Sequence, residues 1–338
     1  MKDIAAAAGV SQSTVSRVLN NAASPVPITE RTRERVIAAA RDLGYRPNPL
    51  ARALRGAPTM LLGVVVRDIT DPFFAGAIEA LSAVARARAY NLVLGHAHGS
   101  ADEAIVLAAV LEARHCDAIV VLGDMRDQPR LIEDLRGAHV PVVAVWQGSQ
   151  IPLIPSVRVD NRAAIVEALD HLSSLGHRRI AFVGGRMLGD VRERHAAFVS
   201  HVRSLGYDLP DGYVRRVPNT PAGGEAALRG LMALSDPPTA VMTSTDVLAI
   251  GVLHAAAARG LSVPADLSVV GFDDLALAAY TVPALTTLRM PVAEMVEAAF
   301  EIAIGAGAAN GARAPADLFR ATLVTRGSTA PPRSERPA

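Results

Sequence analysis

The feature that most restricts how this chain can fold is a series of short, continuously apolar runs beginning at Leu61. Residues 61–66, 92–94, 118–122 and 142–145 form a first set, and 180–183, 240–242 and 267–272 form a second. Between them lie stretches with helical patterning at 75–88, 102–114, 162–175, 192–205, 223–234 and 247–259. Strands that are apolar on both sides need cover on both faces, which is the condition for parallel, doubly wound sheets. Two such sets predict two α/β subdomains with a cleft between them and a boundary near residues 160–175. The run at 285–288 and the segment 317–325 are expected to carry the chain back across that cleft, the first return falling near 285–292. At 338 residues the chain is too long for one small core. Half of it is hydrophobic, yet no apolar run approaches the ~20 residues of a membrane span.

The first 46 residues follow a different pattern, helical throughout. Ile4, Ala7 and Ala8 recur at helical spacing and Gly9 breaks the run. Ser11 then suits the cap of a second helix, in which Val15, Val18 and Leu19 form an apolar face. The opposite face offers Gln12, Ser13, Thr14, Ser16, Arg17 and Asn20, with no acidic residue. Thr29 caps a third helix running to Leu43 and Gly44, in which Val36, Ile37, Ala40 and Leu43 are expected to close a three-helix core. Two short helices joined by a glycine turn, the second polar and basic outward, read as a helix-turn-helix.

Charge is concentrated in the same region. Residues 1–58 hold nine Lys and Arg against four Asp and Glu, a net +5, which leaves −4 for the rest of a chain whose total is +1. A basic module on a mildly acidic body points to a polyanion as the partner of that module. Residues 47–58 read as a linker in which Asn48, Pro49 and Gly56 bracket about two turns of helix. A helix that short is marginal in water. Leu50 and Leu54 then admit two readings, incidental residues of a flexible tether or a hinge helix that forms on DNA with Leu54 as a minor-groove wedge.

At this point the chain resembles the lactose/galactose repressor (LacI/GalR) family. The head match is DIAAAAGVSQSTVSRVLNN at residues 3–21, with Thr32-Arg33-Glu34-Arg35-Val36, Leu43-Gly44-Tyr45-Arg46-Pro47-Asn48 and Leu50-Ala51-Arg52-Ala53-Leu54. Further matches are Asp68-Ile69-Thr70-Asp71-Pro72-Phe73-Phe74, Leu175-Gly176-His177-Arg178-Arg179-Ile180, Ser268-Val269-Val270-Gly271-Phe272-Asp273-Asp274, Leu285-Thr286-Thr287-Leu288 and Arg326-Gly327-Ser328-Thr329. The resemblance implies a small all-α helix-turn-helix head on a type I periplasmic-binding-protein-like core of two α/β subdomains. It divides the chain into a DNA-binding head at 1–46, a hinge at 47–58 and an effector-binding and dimerisation body at 59–329. Residues 330–338 read as a disordered tail. It places Gln12, Ser13 and Arg17 against base edges and Ser11, Thr14, Ser16 and Asn20 on phosphates. The chemistry agrees, since Arg bonds guanine bidentately and Gln reads adenine, while hydroxyls suit phosphate. One departure is the loop at residues 22–28, longer and richer in proline than is usual in the family.

In open α/β sheets, ligands sit beyond the carboxyl ends of the strands. Those ends here carry Asp71, Phe73, Phe74, Asp160, Asn161, Arg192, Arg194, Thr245, Asp246, Asp273 and Asp274. The resemblance puts Phe73 or Phe74 against the ring of a small effector and has Asp160, Arg194 and Asp273 bond its polar groups. Asp71 precedes Pro72 as a helix cap does, Asp246 suits a cap or a ligand contact, and Arg194 a ligand contact or a solvated charge. Asn219 and Met290 stand where some sugar-binding members carry an aromatic and a glutamine.

Other signals are weaker. The glycines at 305–311 follow a helix and lack the spacing of a dinucleotide fingerprint. His96 and His98 have no third metal ligand near them in sequence. Asp273 and Asp274, adjacent on a strand, point to opposite faces and lack an accompanying nucleophile. Lone Cys116 suits a buried thiol in a reducing compartment. The expectation is a cytoplasmic, non-enzymatic, homodimeric transcription regulator, a repressor with an activator as the alternative. It needs no cofactor or metal, binds a pseudo-palindromic operator, and answers to a sugar or related metabolite; a tetramer stays open. A solute-binding protein with residues 1–58 as an appendage would carry a leader, and the N-terminus reads as a polar helix instead.

Overall fold

The computed structural model describes residues 1–19, 27–45, 58–113, 115–124, 129–146, 154–185, 189–305 and 318–333. Two compact units divide the chain, Met1–Thr59 and Met60–Ala338. Asn20, Leu54 and the hinge expected around Leu54 lie outside the described residues, as does the loop expected at 306–311.

In the first unit, α1 (Lys2–Ala8), α2 (Gln12–Leu19) and α3 (Glu30–Asp42) enclose a small core of Ile4, Ala5, Ala8, Val15, Val18, Val36, Ala39 and Ala40. Gly9 ends α1 in a left-handed conformation, φ 60°, and its N–H donates to the carbonyl oxygens of Ala5 and Ala6. Ser11 caps α2, accepting from the Thr14 N–H at 3.2 Å, and Thr29 caps α3, accepting from Thr32 N–H at 3.4 Å. Three core assignments change. Ala7 faces solvent while Ala5 is buried, and Ile37 and Leu43 are exposed at 43% and 51% while Ala39 packs inside. With helices this short, the crossing angles select small alanines at the contacts and turn the larger residues outward.

The second unit contains two sheets. The first has the order β2-β1-β3-β4-β5-β11 and consists of β1 (Leu61–Val66), β2 (Asn91–His96), β3 (Ala118–Leu122), β4 (Val142–Val145), β5 (Ser156–Val159) and β11 (Leu318–Phe319), all parallel. The second has the order β7-β6-β8-β9-β10-β12, from β6 (Ile180–Gly184), β7 (Val214–Arg216), β8 (Ala240–Thr243), β9 (Ser268–Asp273), β10 (Thr286–Arg289) and β12 (Thr322–Val324). Only β12 runs antiparallel. Alternate residues of β1 show why the runs are apolar throughout. Val64 and Val66 join one core cluster, Val65 joins the cluster on the other face, and all three are buried.

Helices α4 (Pro72–Ala87), α5 (Ala101–Ala113), α6 (Pro129–Gly137) and α11 (Val292–Gly305) belong with the first sheet. Helices α7 (Asn161–Ser174), α8 (Gly189–Ser204), α9 (Pro221–Leu231) and α10 (Asp246–Ala258) belong with the second. The chain crosses between lobes after β5, between β10 and α11, and between β11 and β12. At the first crossing the Asp160 N–H donates to Phe319 O of β11 at 2.7 Å.

Residues 330–333, the described part of the segment expected as a tail, are held by specific contacts. The Ala330 N–H donates to Ser268 Oγ at 3.1 Å, its carbonyl lies 2.9 Å from His177 Nε2, and Arg333 pairs with Asp266 at 2.7 Å. These bonds hold Ala330 through Arg333 against β9 and the loop before it.

Candidate functional site

On the head, α2 presents Gln12, Ser13 and Arg17 to solvent, with Thr14 and Ser16 half-buried. Its sequence contains no acid, so its outward face is neutral to basic. Ser11 Oγ, which caps the helix, also lies 2.7 Å from Ser13 Oγ and 2.8 Å from Thr14 Oγ1. The Arg35 guanidinium on α3 donates to the carbonyl of Ala8, clamping the turn that sets the approach of α2. The fold therefore fixes a polar helix face by a cap on one side and an arginine on the other.

In the second unit, strand order 2-1-3-4-5 reverses direction between β1 and β3, and its counterpart reverses between β6 and β8. Ligand sites of open α/β sheets form at such switch points, outside the carboxyl ends of the strands. A cavity of about 50 Å³ lies there. Arg67, Gly123, Asp124 and Trp146 reach it from the ends of first-lobe strands, with Phe73 and Phe74 from α4. The second lobe contributes Arg194, Thr245 and Asp273.

Phe73 lies edge-on to Trp146 at 4.8 Å and to Phe74 at 5.4 Å, so the aromatics form one rigid wall. Arg67 sits 4.9 Å above Phe74 and 3.6 Å from Asp71. Asp71 caps α4 through the Phe73 N–H at 3.1 Å, and its second oxygen accepts from Asn219 Nδ2 at 3.1 Å. Burial raises the Asp71 carboxyl above its ordinary pKa. Arg194 is buried on α8, which excludes the solvated-charge reading. It donates to Asn161 Oδ1 at 2.9 Å and to Ser244 O at 2.7 Å, and covers the Phe272 ring at 3.4 Å. Asp273 lies 3.7 Å from it at the end of β9, with φ 119°. Burial pushes the Asp273 carboxyl well up, against the pull of the Arg194 charge, and burial lowers the pKa of Arg194.

Of the six residues expected at an effector, Phe73, Phe74, Arg194 and Asp273 line this cavity and two do not. Asp160 caps α7, accepting from the Ala163 N–H at 2.9 Å, and faces a separate groove of about 520 Å³ with Arg158, Glu193 and His201. Asp246 is the first residue of α10, whose cap is Thr245, and its carboxylate turns inward. It accepts from Thr287 Oγ1 at 2.6 Å and the Leu275 N–H at 2.8 Å, and burial lifts its pKa to about 7. Asp274 points away from the cleft, bonded to Arg289 and Arg326 at 2.6 Å each.

The sequence reading missed Asp124, Trp146, Arg67 and Asp190 at the cavity. Asp124 and Trp146 follow β3 and β4 directly, so the strand-end rule contained the signal. His96 and His98 stack at 3.8 Å and face Asp68 and Glu103 respectively. Cys116 is buried and burial raises its thiol to about 11, the behaviour of a packing residue.

Comparison with known proteins extends over nearly the whole chain. Residues 1–48 match the model of bacterial regulatory proteins of the lacI family, and residues 169–329 match a periplasmic binding protein-like domain. The HTH-type transcriptional repressor CytR of Escherichia coli (strain K12) is 33% identical over 335 residues, 97% of this chain and 96% of CytR. The structure of the lac repressor dimer bound to operator and the anti-inducer ONPF superimposes with a TM-score of 0.87 at 24% identity, over 97% of this chain and 98% of that one. A complex of the transcriptional regulator CelR with cellobiose gives a TM-score of 0.71 at 26% identity, over 97% and 98% of the two chains.

Proposed function

Because the chain belongs to the lacI family of bacterial regulatory proteins, we propose that it represses transcription by binding a pseudo-palindromic operator as a homodimer. A small molecule in the two-lobed body controls that binding. It is a DNA-binding regulator; it works by binding alone, without a catalytic step, in the cytoplasm. The carrying observation is the acid-free, exposed face of α2, with Arg17 and Gln12 able to reach base edges and Ser13 beside them. Ser11, Thr14 and Ser16, with Asn20, take the phosphates. Leu54 is assigned the minor-groove wedge on the family pattern alone.

Two-fold pairing supplies the second head that one short helix requires for specificity. Leu277, Tyr280 and Val282 support it, forming an exposed apolar run of 59%, 82% and 92% exposure on the second lobe. The effector is read into the cavity of Phe73, Phe74, Arg194 and Asp273. Asp160 and Asp246 serve that site through the helices they begin. Selection of bound duplexes from a random pool by the full chain tests the reading. A two-fold symmetric motif is expected, and retention of duplexes without sequence preference at moderate salt overturns it.

A further inference from the structure

A second hollow opens where the chain first crosses between the lobes, the groove that Asp160 faces. Its volume of about 520 Å³ lies within the roughly 300–1,000 Å³ of ligand sites, and each of its lining residues is among those described. Arg158 and Leu318 reach it from β5 and β11 of the first lobe, Glu193 and His201 from α8 of the second. Near the crossing, Arg158 Nη2 lies 3.8 Å from Glu193 Oε1, too far for a hydrogen bond. The two opposite charges therefore stand side by side in the groove without bonding each other. Toward His201, which stands eight residues from Glu193 and about 12 Å along the helix, the lining turns apolar. Ala196 and Ala197 keep the surface of α8 low there, and Leu318 overhangs it at 56% exposure.

One buried side chain ties this groove to the cleft. Glu193 Oε2 accepts from Asn161 Nδ2 at 2.9 Å, and the same nitrogen donates to Asp190 Oδ1 at 2.9 Å. The Asn161 oxygen accepts from Arg194 Nε at 2.9 Å. Asp190 and Arg194 line the cleft cavity, so within the second lobe a single amide bonds groups from the walls of both hollows. A cation drawn to Glu193 competes with Asn161 for that carboxylate, and Asn161 in turn positions Arg194.

We propose that the groove is a second binding site, separate from the cleft, for an α-amino acid with a long apolar side chain, and that its occupancy is felt at the cleft through Asn161. An α-amino acid carries its ammonium and carboxylate on one carbon, adjacent as Arg158 and Glu193 are. Its carboxylate takes the fork of Arg158 and its ammonium takes Glu193, with charge-assisted bonds at both. Its side chain lies along Ala196, Ala197 and Leu318, where removing apolar surface from water adds to the affinity. A compound with only one of the two charges is attracted by one member of the pair and repelled by the other.

The test is calorimetric titration of the full chain with L-leucine, L-methionine and L-phenylalanine. Each is run beside its amide, which lacks the carboxylate, and its deaminated acid, which lacks the ammonium. At least one amino acid is expected to bind once per chain, with both relatives at least about tenfold weaker. Arg158→Gln and Glu193→Gln, at half-buried positions, should each weaken it by a similar factor. The single tryptophan of the chain, Trp146, stands in the cleft wall, so filling the groove should alter its emission. Asn161→Ser, or Asn161→Asp if the first does not fold, should still bind the amino acid and lose that change. A panel without a binder, a relative as tight as its parent, or an affinity that either glutamine substitution leaves unmoved overturns the site. Trp146 emission that ignores the bound amino acid, or that responds equally in the Asn161 variant, overturns the link to the cleft. These measurements contain neither DNA nor effector, so they fail or succeed apart from the repressor reading.

Discussion

Replacing Asp246 by Asn tests a carboxylate that the fold buries beneath the cleft. Its oxygens accept from Thr287 Oγ1 at 2.6 Å and the Leu275 N–H at 2.8 Å, and Gly271 leaves the space they occupy. Burial lifts the group to about 7, whereas an aspartate in the unfolded chain titrates near ~3.9. Between those values the folded chain keeps a proton that the unfolded chain has released. Stability from this group is therefore fully present below about pH 4 and is lost as pH rises through about 7, a total of about 4 kcal/mol. Asparagine has no proton to lose. Its amide oxygen can keep the Leu275 bond and its nitrogen can donate to the Thr287 hydroxyl, so the shape is preserved. Urea unfolding followed by circular dichroism, run at several pH values, gives the difference between variant and wild type. The variant should gain about 2–3 kcal/mol on the wild type between about pH 5 and about pH 8. A difference that stays constant across that range would refute a raised carboxyl at this position.

Three further variants examine the head, the dimer and the packing of the second lobe. Arg17→Ala should cost about 1–3 kcal/mol on a cognate duplex and relax base preference; equal losses on cognate and random duplexes in fluorescence anisotropy would exclude base reading. Tyr280→Ser combined with Val282→Ser removes most of an exposed apolar run and should raise the dimer dissociation constant in sedimentation equilibrium, whereas an unchanged constant would clear the patch of that role. In the contact of α9 with α10, a methyl on Gly251 would strike the backbone of Pro221. Gly251→Ala should therefore destabilise by about 1–3 kcal/mol, read as a lowered Tm, and a wild-type Tm would show that the helices have room.

The central strands were legible because burial on both faces leaves an unbroken apolar run. β5, Ser156–Val159, was not, since it reads SVRV and lies next to the two-residue strand β11. The edge strand β7, VRR, escaped for the same reason. Side-chain direction at strand ends was harder still. Asp160, Asp246 and Asp273 all stand at or just past the ends of strands, yet one caps a helix, one points into the core and one faces the cavity. Which of these occurs depends on neighbours distant in sequence. Arg194 is fixed by Asn161, 33 residues away, and by Ser244, 50 residues away. Helical periodicity in the head located the helices but misjudged Ile37 and Leu43, because two or three turns do not determine which flank meets its neighbours.

The three crossings between lobes are short, and that shapes how a ligand can exert control. Each lobe has its own sheet, so a change at the cleft is taken up as movement of whole lobes about the segments near Asp160, Met290 and Arg320. Met290 itself lines the cavity. A ligand shifts such an equilibrium only by the difference in its affinity for the two arrangements. The closed cleft is held by contacts such as the Asn219 to Asp71 hydrogen bond, each worth about 1 kcal/mol net and more where a carboxylate is the acceptor. Exchanging two of these for bonds to a ligand moves the balance by about 1–3 kcal/mol, the usual size of a coupling between distant sites. The polar groups that join the lobes therefore carry enough energy for regulation, and no large rearrangement of either sheet is required.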